Sequence, residues 1–500
     1  MPYGDLPQHL PPGSRRAGSE KEAPGGGPAR ARRSAGIAVV DLDLAGPRGP
    51  VLSCAPAPGG PEPEPGGDAY ALVRLRGEPV GTVLVRLPHD EDPAVALAAA
   101  YRAWLDGVRG PAPAETLSAV IASVTASGRT AGTAAGVGAT DAPAAVPLPP
   151  PRTSVVVATR ERAGILARAL DSLLAQDHAD FTILVVDNAP ATSATRDLVR
   201  NAYAGRVGYV REPVPGLAAA HNRGLGTIGQ DREVVAFTDD DVVADPHWLT
   251  ALTRPFADDP GLGCATGLIL PARLGTPAQI LLESHGGFAK GFAPRVYDPA
   301  DPPADEPLFP FTAGSFGSGA NMAFRAGALR AVGGFDPATG TGTPARGGDD
   351  LYGFVRILGA GHRLRYTPDA LVWHHHRETW QDLRNQAYGY GAGLTAYLTA
   401  VLVRQPALLP ALLARLPRGL AHARAITAAR PAVAGPGGGE GPSGGVASAG
   451  PPAAGPVPGE HGGQAHPWPR SLSRLERAGM LYGPVGYLRA RLAQRGGRRS

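Results

Sequence analysis

The stretch EVVAFTDDDVVADPHWL, Glu233–Leu249, decides how this chain folds. An apolar run ends in three consecutive aspartates, Asp239, Asp240 and Asp241, and then turns apolar again. Three adjacent carboxylates repel one another, and a strand end gains nothing structural from them. The cluster therefore predicts a cation or a specialised surface at this point. An acidic turn capping the helix that begins near Pro246 is the plainer alternative.

Working outward, the same pattern recurs on both sides. SVVVATRER (154–162) is an apolar strand with a polar end, and GILARALDSLLAQ (164–176) has helical spacing through Ile165, Leu166, Ala169, Leu170 and Leu173. FTILVVDNA (181–189) is a strand ending in Asp187, TRDLVRNAYA (195–204) is helical, and VGYVRE (207–212) is a short strand. LAAAHNRGLGTI (217–228) is helical again, and VVAFT (234–238) leads into the aspartates. Strands alternating with helices of this length predict an α/β fold, with a mostly parallel sheet flanked by helices. Ligands of such sheets bind beyond the carboxyl ends of the strands. Thr159–Arg162, Asp187 and Asp239–Asp241 all fall at strand carboxyl ends and are expected to converge on one cleft.

The rest of the 500 residues is read from composition. Sixty-nine glycines and 53 prolines mark unstructured parts. Residues 1–36 are expected to be disordered, and 111–152 and 429–463 to be linkers. Residues 37–110 form a small α+β module of no evident purpose, 396–428 a helical extension and 464–500 a basic helical tail. Two cysteines, Cys54 and Cys264, argue against a disulfide framework and suit a reducing cytosol. The N-terminal residues have no apolar core of a secretory signal. LTAYLTAVLVRQPALLPALLARL is too broken by Arg404, Pro406, Pro410 and Arg415 to span a membrane. The expected location is cytoplasmic, at most peripheral to a membrane. In the tail, Leu472, Leu475, Met480, Leu481, Val485 and Leu488 supply an apolar face for an anionic surface or for docking on the fold. Gly483 and Pro484 are expected to interrupt that helix.

Asp239 and Asp241, one residue apart, direct oxygens toward one point, as Mg²⁺ or Mn²⁺ requires. GGDDLYGFVRILGAGH (347–362) places Asp349 and Asp350 at a helix start, where carboxylates also favour the dipole. VWHHHRE (372–378) follows an apolar strand, so His374 and His376 share a face. Phe288, Phe292, Tyr297 and Phe316 in 276–320 either stack on an acceptor or join the core. GLGTIG (224–229) and GPSGG (441–445) match nucleotide-binding and esterase patterns but follow no strand.

The ordered series VVVATRER, VVDNA, AHNRG, TDDD, GSGANMAFR, GGFD, GGDD and WHHHR, over about 153–395, resembles the family 2 glycosyltransferases and their GT-A fold. The resemblance implies an inverting transfer of a sugar from a nucleotide-diphospho-sugar donor to an acceptor hydroxyl, dependent on Mn²⁺ or Mg²⁺. It implies that Thr159 and Asp187 contact the base, that Asp239 lies near ribose and metal, and that Asp241 binds the ion. Arg160, Asn222 and Asp240 join the donor side, Asp350 with Asp349 beside it is the catalytic carboxylate, and His374 stands near the diphosphate and metal. The acceptor is a carbohydrate, a lipid-linked sugar or a small molecule, and nucleic acid is not a partner. A sugar nucleotidyltransferase and an inactive sugar-nucleotide-binding protein are the alternatives. Where the family has Tyr-Asn, Arg-Asn and Glu-Asp, this chain has Arg160-Glu161, His221-Asn222 and Asp349-Asp350.

Overall fold

The computed structural model describes residues 36–45, 52–107, 149–285, 287–410, 412–415, 417 and 469–497. The expected disordered segment 1–36 and the two linkers lie almost wholly outside them. The apolar runs form strands β5 (Thr153–Thr159), β6 (Phe181–Asn188), β7 (Val207–Glu212) and β8 (Val234–Asp239), in spatial order 7-6-5-8 and all parallel. Helices α2 (Ala163–Leu174), α3 (Ala194–Ala202) and α4 (Leu217–Thr227) connect them. α2 buries Leu166, Ala169, Leu170 and Leu173, the stripe its spacing predicts. This half is the expected parallel sheet.

The second half is mixed. β12 (Asn321–Arg325) runs antiparallel to both β8 and β10 (Leu262–Pro271), and β10 runs parallel to β13 (Arg363–His374). β11 (Arg295–Tyr297) closes that edge. At Asp240–Asp241 the chain turns out of β8 into a three-residue strand, β9 (Val242–Ala244), which pairs antiparallel with β13. That pairing sets His374 opposite Val242, next to the aspartates. Helices α5 (Trp248–Asp258), α6 (Pro277–Ser284), α7 (Ala326–Ala331), α8 (Asp349–Gly359) and α9 (Trp380–Arg404) complete the domain. α9 is one continuous helix, so the domain boundary expected at 395 falls inside it. Buried Phe237, Phe324, Phe335 and Phe354 fill one side of the sheet; Leu166, Leu170 and Trp248 fill the other. Tyr297 and Phe316 join the first of these cores.

The N-terminal module has strands β1 (Ala38–Asp43), β2 (Ser53–Pro56), β3 (Asp68–Leu75) and β4 (Glu78–Arg86) in order 2-1-3-4, and helix α1 (Pro93–Gly107). One face of its sheet packs on α1. The other face, through Val39, Tyr70 and Leu72, packs on Leu268, Leu270, Leu371 and Trp373 of β10 and β13. The module is thus a further layer of the domain, whatever the length of the 111–152 segment. Arg74 ties the contact, pairing with Asp41 at 2.8 Å and Asp245 at 2.7 Å.

The tail forms one helix, α10 (Arg470–Gly497), docked on α9. The expected break at Gly483-Pro484 does not occur, for two physical reasons. Proline removes the hydrogen bond to the carbonyl four residues back, and Thr395 Oγ1 of α9 donates to that carbonyl, Met480 O, at 2.8 Å. The glycines admit close contact: a Cβ on Gly483 would lie 2.1 Å from Thr395 Oγ1 and 2.3 Å from Ala392 O. Leu472 is buried and Leu475 packs beside it, whereas Met480, Leu481, Val485 and Leu488 are exposed.

Candidate functional site

The carboxyl ends of β5, β6 and β8 lie side by side, and the β9–β13 corner meets them at the aspartates. Asp239, Asp241 and His374 each offer one ligand atom there, all within 4.8 Å of one another. His374 Nε2 lies 3.4 Å from Asp241 Oδ1, a buried oxygen without a hydrogen-bond donor. Donors around a Mg²⁺ or Mn²⁺ ion at about 2.1 Å sit roughly 3–4 Å apart, so the group fits after a small contraction. Two carboxylates and one imidazole suit a hard or borderline divalent ion.

The three aspartates have diverged by environment. Burial, then the charge of Asp241, pushes Asp239 up to about 7. Burial would raise Asp241 as well, but His374, Arg162 and Arg377 hold it well below the usual carboxylate range. Asp240 turns inward: its carboxylate accepts from Thr159 Oγ1 at 2.6 Å and from Arg162 at 2.5 Å. Burial lifts it to about 6 against the pull of Arg162. Arg162 also reaches Asp241 Oδ2 at 2.9 Å, and Arg377 stands 3.8 Å from the same oxygen. These two guanidiniums are the positive charge the triplet demands without a metal.

Other expected residues fall differently. Arg160 is exposed and makes no ion pair with the triplet among the described residues; Arg162 takes that place. The reason lies in Glu161, whose positive φ of 55° redirects the chain. Its carboxylate then accepts from the N–H groups of Ala191 and Thr192. Asn222 is committed to structure: its amide donates to Phe335 O at 2.8 Å and accepts from Phe335 N–H at 2.9 Å. It clamps the Gly333-Gly334 turn. Asp187 is fully buried at the end of β6; Oδ2 accepts from Tyr209 at 2.9 Å and Oδ1 has no partner. Such an orphaned buried acceptor calls for an N–H or O–H donor.

Asp349 and Asp350 open α8 and separate by direction. Asp349 is 4% exposed and lies 3.3 Å from His221 Nδ1, whose ring sits against Phe237 and Phe335. Asp350 is half-buried, accepting Gly319 N–H at 2.9 Å and Leu351 N–H at 2.8 Å. Burial, then the neighbouring Asp349, raises it to about 6. A carboxylate held by two N–H groups and poised near neutrality is suited to proton abstraction.

His374 and His376 do share a face, their Nδ1 atoms 2.9 Å apart. His375 points the other way, and burial lowers it to about 4. Sequence reading placed Arg162 at the converging strand ends without giving it a role, and missed Arg377, Glu283 and Tyr70. The adjacency of Arg162 to the first strand end was a usable signal, but nothing local marked the other three.

An acidic corner at the carboxyl edge of a helix-flanked sheet, with an Asp–Asp–His group that could hold a metal ion, is the setting of a ligand-binding α/β domain. Residues 150–388 match the family described as "Glycosyltransferase like family 2", and this domain belongs to it. The Pre-mycofactocin glycosyltransferase of Mycobacterium tuberculosis is 30% identical over 259 residues, 50% of this chain and 50% of that protein. The Succinoglycan biosynthesis protein ExoW of Rhizobium meliloti is 37% identical over 112 residues, 21% of this chain and 35% of that protein. The chain thus spans about half or less of the length of these curated relatives. Among solved structures, a mannosyltransferase from Pyrobaculum calidifontis in complex with GDP-Man and Mn2+ has TM-score 0.38 and 23% identity. It covers 57% of this chain and 78% of that one.

Proposed function

We propose that the chain is an inverting glycosyltransferase that moves a sugar from a nucleotide-diphospho-sugar to an acceptor hydroxyl with a divalent ion. The observation that carries this reading is the Asp239–Asp241–His374 group, with Asp350 held by two N–H groups at the start of α8. Asp239, Asp241 and His374 would hold the ion; when bound, it neutralises the diphosphate leaving group as a Lewis acid. Asp350 takes the acceptor hydroxyl proton as the new C–O bond forms and the bond to the diphosphate breaks. One base and one leaving group require no covalent sugar–enzyme step, so the anomeric centre inverts. Asp187 receives the base, and Thr159 and Arg162 hold Asp240 and the corner in place.

The test is calorimetry of nucleoside diphosphates on the full chain with Mn²⁺. Binding is expected with the ion and much weaker binding after EDTA or in Asp241→Asn. Equal affinity with and without the ion would refute the metal reading.

We also infer a peripheral contact with an anionic lipid surface. Leu481, Val485, Leu488 and Leu492, spaced i, i+4, i+7, i+11, line the side of α10 turned from α9 and are 46–83% exposed. Residues 470–500 carry eight arginines against one glutamate, which favours an anionic partner. No single described helix is long and apolar enough to cross a membrane. Vesicles containing phosphatidylglycerol should sediment the protein at low salt, less so at high salt, and poorly with Leu481→Glu/Leu488→Glu. Absence of low-salt binding overturns this inference.

A further inference from the structure

Beyond the metal-dependent reading, and resting on it, we propose that Tyr70, Glu283 and His376 form a positioning relay. The relay fixes which nitrogen of His374 is offered to the cation, and it makes the N-terminal module part of the metal centre.

A chain of contacts leads from the corner to the module. His374 Nδ1 is 2.9 Å from His376 Nδ1, His376 Nε2 is 3.1 Å from Glu283 Oε2, and the Tyr70 hydroxyl donates to Glu283 Oε1 at 3.3 Å. Each side chain in it is at least nine-tenths buried or close to that: His376 0% and His374 10% by side chain, Glu283 11%, Tyr70 7% overall.

The hydrogen positions follow from one fixed end. An ionised carboxylate only accepts. His376 Nε2 must therefore carry the hydrogen it donates to Glu283. A neutral imidazole with hydrogen on Nε2 has a bare Nδ1, so His376 Nδ1 accepts. Its partner, His374 Nδ1, must then be the N–H. In the neutral His374 that a bound ion requires, that leaves Nε2 with its lone pair on the Asp241 side, where the ion takes over from the imidazolium as partner of the carboxylate. With both rings neutral, the opposite tautomer of His374 would set two lone pairs against each other.

The surroundings hold the relay rigid. Glu283 rides on α6, whose start is fixed by reciprocal Thr276–Gln279 capping, and Gln279 Nε2 also donates to His376 O at 3.1 Å. The Phe288 ring packs on both imidazoles, with centroids 5.1 and 5.4 Å away. Tyr70 belongs to β3, the strand that also carries Arg74 to Asp245, one residue beyond β9. A single strand of the module thus braces both sides of the corner: β9 through Asp245 and β13 through the relay.

The experiment measures Mn²⁺ affinity of the full chain by electron paramagnetic resonance of the free ion. Glu283→Leu is expected to weaken Mn²⁺ by roughly 10–100-fold, the usual effect of losing a partner of a metal-bound histidine. Glu283→Gln keeps an acceptor oxygen and should recover most of that loss. Tyr70→Phe should weaken binding by a smaller factor, and its effect should vanish in a His374→Ala background. Imidazole ¹⁵N shifts should show hydrogen on Nδ1 of His374 in the wild type and a mixture in Glu283→Leu. If the wild type does not bind Mn²⁺, the metal reading falls and the relay with it. If the wild type binds, His374→Ala weakens binding and Glu283→Leu does not, the relay alone is wrong. Equal weakening by Glu283→Leu and Glu283→Gln, with the His374 shifts unchanged, reduces Glu283 to packing and also overturns the relay.

Discussion

Asp350→Asn gives the sharpest separation of roles. Asp350 presents two acceptor oxygens to two N–H groups, Leu351 at 2.8 Å and Gly319 at 2.9 Å. Asparagine has one acceptor oxygen, so one N–H loses its partner, at a cost of about 1–3 kcal/mol of stability. The chemical loss is larger: removing a positioned base lowers turnover by roughly 10²–10⁴-fold. Donor affinity should be unchanged, because the corner that holds the diphosphate keeps all its donors. The pH dependence supplies a second readout. With Asp350 raised to about 6, the unprotonated form is lost as pH falls through that value, so wild-type kcat should decline below about pH 6. The residual activity of Asp350→Asn should lack that limb. Asp349→Asn should retain turnover within a factor of a few, since its carboxylate is buried against His221. The assay is steady-state kinetics with donor binding by calorimetry, and product configuration by NMR. Near-normal turnover of Asp350→Asn, or retention of configuration, would refute the assignment.

Two further outcomes follow from the ion pairs and the shared core. Arg162→Met leaves Asp240 and Asp241, both under 5% exposed, without their main counter-charge, and should cost about 3 kcal/mol in denaturant unfolding at pH 7. The penalty should shrink below about pH 6, where Asp240 takes up a proton; a loss independent of pH would argue against the charge explanation. A chain beginning near residue 150 uncovers Leu268, Leu270, Leu371 and Trp373, and should aggregate on size-exclusion chromatography. A soluble, monomeric, nucleotide-binding fragment would refute the claim that the module is part of the domain.

The sequence by itself determined the alternation of strands and helices and the acidic ends of β6 and β8, because apolar periodicity and strand-end polarity are local properties. It also paired Asp239 with Asp241 and His374 with His376, since both relations are fixed by spacing along one backbone. Tertiary structure decided the rest. Arg162 rather than Arg160 meets the aspartates because Glu161 adopts a positive φ that no periodicity encodes. Asn222 acts as a clamp because Phe335, 113 residues away, presents both backbone groups to it. Pro484 stays inside a helix because Thr395, on another helix, satisfies the carbonyl it orphans. The module's place in the domain was not marked in its residues, and only packing revealed β10 and β13 beneath β3. A hydrogen-bond partner distant in sequence leaves no mark on local pattern, which is why Tyr70 and Glu283 came to light only in three dimensions.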